Sequence, residues 1–318
     1  MGKELFVGID IGGTTVKPGV FTREGEKLGN LSVPTPPLVD EAGYGAVTRG
    51  IDELVASVGA EACDVRGIGL AAPCPIPADG NVKLVANMSL DLGGLSGALA
   101  AHYSRAAVRS VNDANAAAMG ELWRGGAQGL SNCVLLTLGT GVGGGVIVDG
   151  RVVAGANGAA GEIGHICVNP AEPLTCGCGR HGCLEQYVSA KGMVRVYREQ
   201  CAKRGQEPVE LSGATDTLSL FGAYQTGDEA AKAAVSVMCD RLGLALSIVA
   251  GVTDPERFVI GGGVVGALPL FHDELVERYR HYVLGCSADT PIVAAQLGNS
   301  AGMYGAAYVG LLAHDEQA

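Results

Sequence analysis

The sequence predicts an α/β protein of two lobes, built from a duplicated unit of β-meander and helices. Three observations support this prediction. The order of strand, glycine-rich turn, hairpin, helix and strand begins at Leu5 and begins again at Ser131. Each copy places its glycine-rich turn directly after an apolar strand. The 318 residues are also enough for two packed domains, and we expect a central cleft between them as the ligand site.

The first copy opens with three strands. Leu5 to Ile11 is an apolar run that stops at two glycines, and Val16 to Phe21 and Lys27 to Val33 follow it as a meander. Pro18 has no N–H to donate, so we expect a bulge or an unpaired edge position there. A helix, a buried strand and a second helix are predicted at Tyr44 to Val58, Val65 to Ala71 and Leu95 to Tyr103. This order implies parallel pairing of the strands.

The second copy repeats the plan. It predicts a strand at Ser131 to Leu138, a hairpin at Gly145 to Val153, a helix at Glu229 to Gly251 and a strand at Arg257 to Ile260. We place the small N-terminal lobe at residues 1–116 and the large lobe at residues 117–300. We expect a C-terminal helix at about 301–318 to pack on the small lobe.

Composition excludes several classes of protein. A formal net charge of −11, with only 22 Lys and Arg, argues against a nucleic-acid surface. Met1 to Val7 lack the pattern of a signal peptide, and no run approaches about 18 consecutive apolar residues. We therefore expect a cytoplasmic protein with no membrane or nucleic-acid partner. Three of the ten cysteines cluster, which in a cytoplasmic chain favours a metal site over disulfides.

Two glycine-rich turns are typical of phosphate binding. In the first, Asp10-Ile11-Gly12-Gly13-Thr14-Thr15, N–H and O–H groups could hold phosphate oxygens while Asp10 orients Mg²⁺. Taken alone, it is equally a tight hairpin turn with solvated threonines. The second, Leu138-Gly139-Thr140-Gly141-Val142-Gly143-Gly144-Gly145, repeats the arrangement, which favours two facing phosphate loops. The segment Gly261-Gly262-Gly263 could hold adenine or ribose against bare backbone, or be a turn leading into a helix.

A carboxylate at a strand end is the candidate catalytic base. Asn112-Asp113-Ala114-Asn115 follows the strand Ala107 to Val111 and opens a helix of small residues. From that position Asp113 could accept a hydroxyl proton during phosphoryl transfer. The alternative is that Asp113 only caps the helix, which is the commoner role of aspartate there.

The strongest metal signal is His165 followed by Cys176-Gly177-Cys178-Gly179-Arg180-His181-Gly182-Cys183. His165, Cys176, Cys178 and Cys183 supply one imidazole and three thiolates, a closed tetrahedral zinc set with no place for a bound water. Zinc is therefore expected to be structural. The alternatives are reduced structural cysteines or a Cys176–Cys183 disulfide, and His181 is a rival ligand.

Two carboxylates flank this metal motif. Glu162 lies three residues before His165 and Glu185 two residues after Cys183, so a folded metal site would bring them together. Such acceptors suit the hydroxyls of a sugar, and His165 could donate from the ring nitrogen that does not bind zinc. The alternative for either glutamate is a solvated surface charge.

Together these motifs resemble the ROK family of repressors, open reading frames and kinases, within the actin-like ATPase (ribonuclease H-like) superfamily. The resemblance covers nearly the whole chain and rests on Asp10 to Thr15, Ala72-Pro73, Asn112 to Asn115, Gly139 to Gly145, Gly161 to His165, and Cys176 to Glu185. It implies ATP-dependent phosphorylation of a free hexose, with glucose to glucose 6-phosphate the first choice. The alternatives are mannose, allose, fructose, N-acetylglucosamine or N-acetylmannosamine as acceptor.

The resemblance also assigns roles. It implies a base at Asp113, Mg²⁺ near Asp10, ATP on the glycine turns, structural zinc on the cysteine motif, and a homodimer or homotetramer. Sugar contacts fall to Asn87, Asn112, Asp113, Glu162, His165 and Glu185. Pro18 and Cys74 depart from the family pattern, and Leu84 to Leu90 matches family glucokinases poorly.

Two other functions compete with a kinase. A sugar-responsive repressor of the same family would add a DNA-binding segment, but the first strand begins at Leu5 and leaves no room for a helix-turn-helix. A zinc-dependent hydrolase needs an open coordination position, which the sulfur-rich ligand set does not provide.

Overall fold

A computed structural model of the chain describes residues 4–77 and 89–317. The strands are β1 (Leu5–Ile11), β2 (Thr15–Thr22), β3 (Lys27–Asn30), β4 (Val33–Pro34), β5 (Val65–Ala72), β6 (Ala107–Asn112), β7 (Cys133–Leu138), β8 (Val142–Val148), β9 (Arg151–Val152), β10 (Arg257–Gly261) and β11 (Ile292–Ala294). The helices are α1 (Glu41–Ser57), α2 (Leu92–His102), α3 (Asp113–Arg124), α4 (Glu185–Val188), α5 (Ala190–Arg204), α6 (Thr217–Gln225), α7 (Glu229–Thr253), α8 (Leu268–Tyr282) and α9 (Ala301–Asp315).

The first sheet has the strand order β3-β2-β1-β5-β6, with β4 also paired to β2. β1 runs antiparallel to β2 and parallel to β5, which is parallel to β6. β1 and β5 are buried almost throughout because helices cover this part of the sheet. A Cβ added at Gly69 of β5 would lie 1.8 Å from the Ala306 carbonyl oxygen, so α9 packs directly on the backbone of the sheet.

Pro18 lies inside β2 without a bulge towards β1. It pairs in regular register with Ile9. On the other side of β2, pairing to β4 ends at Val16 and pairing to β3 begins at Gly19, so Pro18 falls between the two ladders. The missing N–H therefore costs no hydrogen bond of either ladder.

The second sheet has the order β11-β10-β7-β8-β9. β10 is parallel to both β7 and β11, and β8 is antiparallel to β9. The turn between β8 and β9 is formed by Asp149 and Gly150 with φ of 52° and 71°. Positive φ at both central residues is the geometry that the Asp-Gly pair favours in a hairpin.

The chain divides into two compact units. Unit 1 comprises Met1–Ser131, Gly145–Gly161 and Gln296–Ala318, and unit 2 comprises Asn132–Gly144 and Glu162–Ala295. The sequence-based boundary at 116/117 differs because it lies inside α3, and all of α3 belongs to unit 1. α3 packs closely on α9: a Cβ added at Gly305 would lie 1.6 Å from the Ala116 carbonyl oxygen. α9 also packs on β1, β5 and β6.

A buried glutamate connects two parts of unit 1 by hydrogen bonds. Glu121 of α3 is only 1% exposed, and its carboxylate accepts the backbone N–H groups of Gly126, Gln296 and Leu297. These bonds connect the end of α3 to the segment that leads into α9. Backbone donors thus replace the water that a buried carboxylate loses.

α7 is the central helix of unit 2. Asp228 caps it by accepting the Ala231 N–H at 2.9 Å, and the helix packs against α5 and α8. By length and composition alone it could cross a membrane, since an 18-residue window has a mean hydropathy of 1.7. Half of that window is buried against neighbouring elements, which is typical of a core helix.

Candidate active site and metal centre

Asp113 lies at the junction of β6 and α3 in unit 1. Asn112 is the N-cap of α3, and its Oδ1 accepts the N–H groups of Ala114 and Asn115 at 3.0 and 3.1 Å. Its Nδ2 donates to the Cys74 carbonyl oxygen at 3.2 Å. Because Asn112 caps the helix, Asp113 is the first helical residue, and its Oδ1 accepts the adjacent Ala114 N–H at 2.8 Å. The helix cap is therefore not the reason for an aspartate at position 113.

The carboxylates of Asp113 and Asp10 influence each other. Asp113 is exposed to solvent, but surrounding protein atoms remove enough water to raise its pKa above the ordinary value of 3.8. Burial also raises the pKa of Asp10, against the attraction of Lys17, and the charge of Asp113 raises it further. A pair of partly desolvated carboxylates is a favourable place for a cation and for proton transfer.

Lys17 is a charged neighbour that sequence analysis missed. Asp10 and Lys17 are directly opposite in the register of β1 and β2, and Nζ lies 3.8 Å from Oδ2 of Asp10. The signal was present in the sequence, because a short hairpin turn between residues 11 and 15 fixes which residues face each other. Asp10 also faces the start of α9, where a Cβ added at Gly302 would lie 3.2 Å from its carboxylate carbon.

Three hydrogen bonds stabilise the base of the turn between β1 and β2. The Gly12 N–H donates to the Thr15 carbonyl at 2.9 Å. Thr35 adds two bonds, from Oγ1 to the Gly12 carbonyl at 2.6 Å and from N–H to the Thr14 carbonyl at 3.0 Å. A Cβ added at Gly13 would meet no described atom within 4 Å. The predicted residues Gly12, Gly13, Thr14 and Thr15 therefore form a supported turn whose tip is open.

In unit 2 the two predicted glycine segments are neighbours. Gly261 ends β10 and pairs with Thr137 of β7, next to the turn formed by Gly139, Thr140 and Gly141. Gly262 has φ of 86°, and a Cβ there would lie 2.4 Å from the Leu138 carbonyl oxygen. Only glycine fits this position, so the backbone after β10 lies directly against the end of β7. Gly143 follows within β8.

The four predicted metal ligands come together in unit 2. The ligand atoms of His165, Cys176, Cys178 and Cys183 all lie within 4.8 Å of one another. Nδ1 of His165 is 3.9 Å from the Cys176 sulfur, and the sulfurs of Cys178 and Cys183 are 3.6 Å apart. All ten cysteines are free thiols, so the Cys176–Cys183 disulfide alternative is wrong for this structure. His181 is not part of the cluster.

Two thiols of this cluster have pKa values shifted in opposite directions. A hydrogen bond from the backbone N–H of Arg180 lowers the pKa of Cys178 to about 6. Burial raises the pKa of Cys183 to about 12. Sulfur and imidazole donors converging from one loop match the preferences of Zn²⁺, which would favour the thiolate form of both residues.

The predicted sugar-binding residues of unit 2 are His165, which belongs to this cluster, and the two glutamates Glu162 and Glu185. Glu162 is exposed, and its Oε2 lies 3.9 Å from Nε2 of His165, so the ring faces the cysteines with one nitrogen and Glu162 with the other. Glu185 begins α4 and is half-buried. Its Oε2 accepts the Val142 N–H at 2.9 Å, a contact with the glycine turn after β7 that the sequence did not predict. Asn87 lies outside the described residues.

Comparison with known proteins identifies the family. A sequence model of the ROK family matches residues 6–314. The chain is 34% identical to the glucokinase of Halalkalibacterium halodurans, over 97% of this chain and 96% of that protein. It is 33% identical to the N-acetyl-D-glucosamine kinase of Escherichia coli O127:H6, over 96% of this chain and 99% of that protein.

A solved structure extends the similarity to the fold. A ROK family glucokinase from Streptomyces griseus, in complex with glucose and AMPPNP, superposes with a TM-score of 0.74 at 32% identity, covering 96% of this chain and 99% of that one. The fold and the relatives together define a sugar kinase with the actin-like ATPase fold. The chain belongs to the ROK family, which confirms the family and the fold class expected from its motifs.

Proposed function

We propose that this protein transfers the γ-phosphoryl group of ATP to a hydroxyl of a free hexose, with glucose as the preferred acceptor and glucose 6-phosphate as the product. The observation that carries the proposal is Asp113, a carboxylate with a raised pKa that is not needed as the helix cap and is electrostatically coupled to Asp10. Identity to a glucokinase over nearly the full length supports glucose.

Asp113 would act as the general base. Its Oδ1 already accepts the Ala114 N–H, so Oδ2 is the oxygen that takes the proton of the sugar hydroxyl as the new P–O bond forms. A base with a raised pKa accepts this proton more readily than an ordinary aspartate. Asn112, held by the Cys74 carbonyl, would orient the same hydroxyl group.

The nucleotide would be held by both glycine turns. The backbone N–H groups of Gly13, Thr140 and Gly141, with the hydroxyls of Thr14, Thr15 and Thr140, suit phosphate oxygens. The N–H groups of Gly12 and Gly139 instead close the two turns by bonding to the Thr15 and Gly141 carbonyls. The backbone of Gly261 and Gly262 offers a surface without side chains for adenosine. Asp10 would hold Mg²⁺, which neutralises charge on the phosphates.

The acceptor sugar would be held by Glu162, His165 and Glu185, with Asn87 as a further contact. If Nδ1 of His165 binds zinc together with Cys176, Cys178 and Cys183, Nε2 carries the proton and donates to a sugar hydroxyl. The carboxylates of Glu162 and Glu185 accept hydrogen bonds from sugar hydroxyls. The zinc would be structural, because four protein ligands complete its coordination. We further propose a cytoplasmic homodimer or homotetramer.

A screen of acceptors tests this function. We expect ADP release, measured by a coupled assay, to be fastest with glucose in a panel of free hexoses, N-acetylglucosamine and N-acetylmannosamine. Similarity to an N-acetyl-D-glucosamine kinase makes that sugar the second candidate. If an N-acetylhexosamine is preferred, that sugar is the acceptor instead of glucose. If ADP release does not depend on any sugar of the panel, the proposal is refuted. Polyphosphate in place of ATP tests the donor.

The pH dependence of kcat/KM should reveal the ionisation of Asp113. The base works only when deprotonated, so the rate should fall about tenfold per pH unit on the acid side of its pKa, which burial raises above 3.8. The raised pKa favours the folded state at low pH and loses that contribution as pH rises, so unfolding linked to Asp113 cannot cause the acid limb. If the acid limb disappears from the residual activity of Asp113→Asn, the assignment of Asp113 as the base is supported. An unchanged acid limb in this variant would contradict the assignment.

A further inference from the structure

A buried polar cluster forms around the Tyr187 hydroxyl in α4, the helix that begins with Glu185. Tyr187, two residues further along α4, is 5% exposed, and its hydroxyl donates to the carboxylate of Glu172. Asn169 Nδ2 donates to the same hydroxyl at 2.7 Å. Glu172 also accepts the Leu174 N–H at 3.2 Å. The residues 169–174 precede the first cysteine of the metal cluster, so this network joins the metal-binding segment to α4.

Two arginines fix the other sides of Tyr187. The guanidinium carbons of Arg195 in α5 and Arg241 in α7 lie 5.3 and 5.6 Å from the ring centroid. Arg195 also donates to the Gln186 carbonyl at 2.9 Å and to Glu172 at 3.4 Å. Burial alone would raise the pKa of Glu172, but the Tyr187 hydroxyl, the Leu174 N–H and Arg195 hold it below its ordinary value. The Tyr187 hydroxyl and the Glu172 carboxylate each have several hydrogen-bond partners in this compact, charged cluster, which favours one geometry.

The opposite side of α4 holds the glycine turn after β7. The Glu185 carboxylate accepts the Val142 N–H at 2.9 Å, and the Ala190 N–H, at the start of α5, donates to the Gly139 carbonyl at 2.8 Å. A Cβ added at Gly141 would lie 2.7 Å from Glu185 Oε2. The short segment 185–190 therefore connects the buried cluster to the turn, with contacts at both ends.

We propose that Tyr187 and Glu172 are positioning residues that hold Glu185 and the turn at residues 139–142 in the conformation that binds both substrates. The inference rests on the proposed function, in which Glu185 contacts the sugar and the turn contacts ATP phosphates. Neither Tyr187 nor Glu172 would touch a substrate. A single rigid segment serves both ligands, so loosening it weakens both together.

Equilibrium binding tests this role separately from catalysis. The variants are Tyr187→Phe, which removes only the hydroxyl, and Glu172→Gln, which keeps the size of the side chain in case the first variant does not fold. The matched control is Tyr279→Phe in α8, a buried tyrosine whose hydroxyl donates to the Ser287 carbonyl at 2.8 Å. The probes are AMPPNP without sugar and glucose without nucleotide, with zinc per chain and the thermal midpoint measured alongside.

Both variants should bind AMPPNP and glucose about 10- to 100-fold more weakly, the loss typical when a group that positions a metal ligand by hydrogen bonding is removed. Zinc content should be unchanged, and the control should behave like wild type. Affinities within about twofold of wild type for both ligands would overturn the inference. Equal weakening in the control would also overturn it, because buried hydroxyls in general would then be responsible. If wild-type protein binds neither ligand, the proposed function itself fails.

Discussion

Asp113→Asn should lower kcat for hexose phosphorylation by about 10²- to 10⁴-fold, the usual contribution of a general base. The amide keeps the shape of the side chain and can still accept the Ala114 N–H through Oδ1, so α3 should be undisturbed. It cannot take the hydroxyl proton. The affinity for AMPPNP should therefore stay within about threefold of wild type, because the nucleotide is held elsewhere. Steady-state kinetics and equilibrium titration measure the two quantities.

A surface aspartate provides the control for this variant. Asp273 of α8 has a fully exposed side chain, so Asp273→Asn makes the same chemical change far from the β6–α3 junction along the chain. It should leave kcat unchanged. If Asp113→Asn retained a near wild-type kcat, another group would have to be the base, and the assignment of Asp113 would be withdrawn.

Cys178→Ala should have the second largest effect, on metal content and stability together. It removes one of four converging ligands, and it is the thiol whose pKa is already lowered to about 6 by the Arg180 N–H. Since metal binding in such loops is coupled to folding, the proposed zinc should be largely lost, and the thermal midpoint should fall. The KM for the sugar should rise, because His165 is both a candidate metal ligand and a proposed sugar contact.

A second exposed cysteine shows whether the effect is specific. Cys286 lies outside the metal cluster, and Cys286→Ala should keep the wild-type zinc content, thermal midpoint and KM. Elemental analysis of the purified proteins and a thermal melt provide the measurements. Unaltered zinc in Cys178→Ala would contradict the proposed ligand set.

Local features of the fold could be predicted from the sequence. Apolar strands that end in glycine, such as Leu5 to Ile11 and Ser131 to Leu138, specify where they end. β1 spans its predicted residues, and β7 ends at the predicted Leu138 but begins at Cys133, two residues later than predicted. The cysteine cluster was predictable because its spacing places three sulfurs in one short loop. The extent of the compact units was not predictable, because α3 joins unit 1 through its contact with Gly305, nearly 190 residues away by the numbering, and such packing leaves no local signal.

The candidate site also combines residues that the sequence predicts with contacts that it does not predict. Asn112 and Asp113 stand out because a strand end and a helix start are both visible in the sequence. The bond from Val142 to Glu185 and the cluster around Tyr187 join residues far apart in sequence, and their geometry depends on how α4 meets α5 and α7. Lys17 is an intermediate case, since the hairpin register alone places it opposite Asp10.

³¹P NMR of the wild-type protein incubated with glucose and MgATP measures the proposed phosphoryl transfer directly. We expect the γ-phosphate signal of ATP to be replaced by that of one sugar phosphomonoester, with ADP formed in equal amount, and Asp113→Asn to form neither product at a comparable rate. ATP that remains unchanged with glucose and with each alternative hexose, or that yields only ADP and inorganic phosphate, would contradict this expectation.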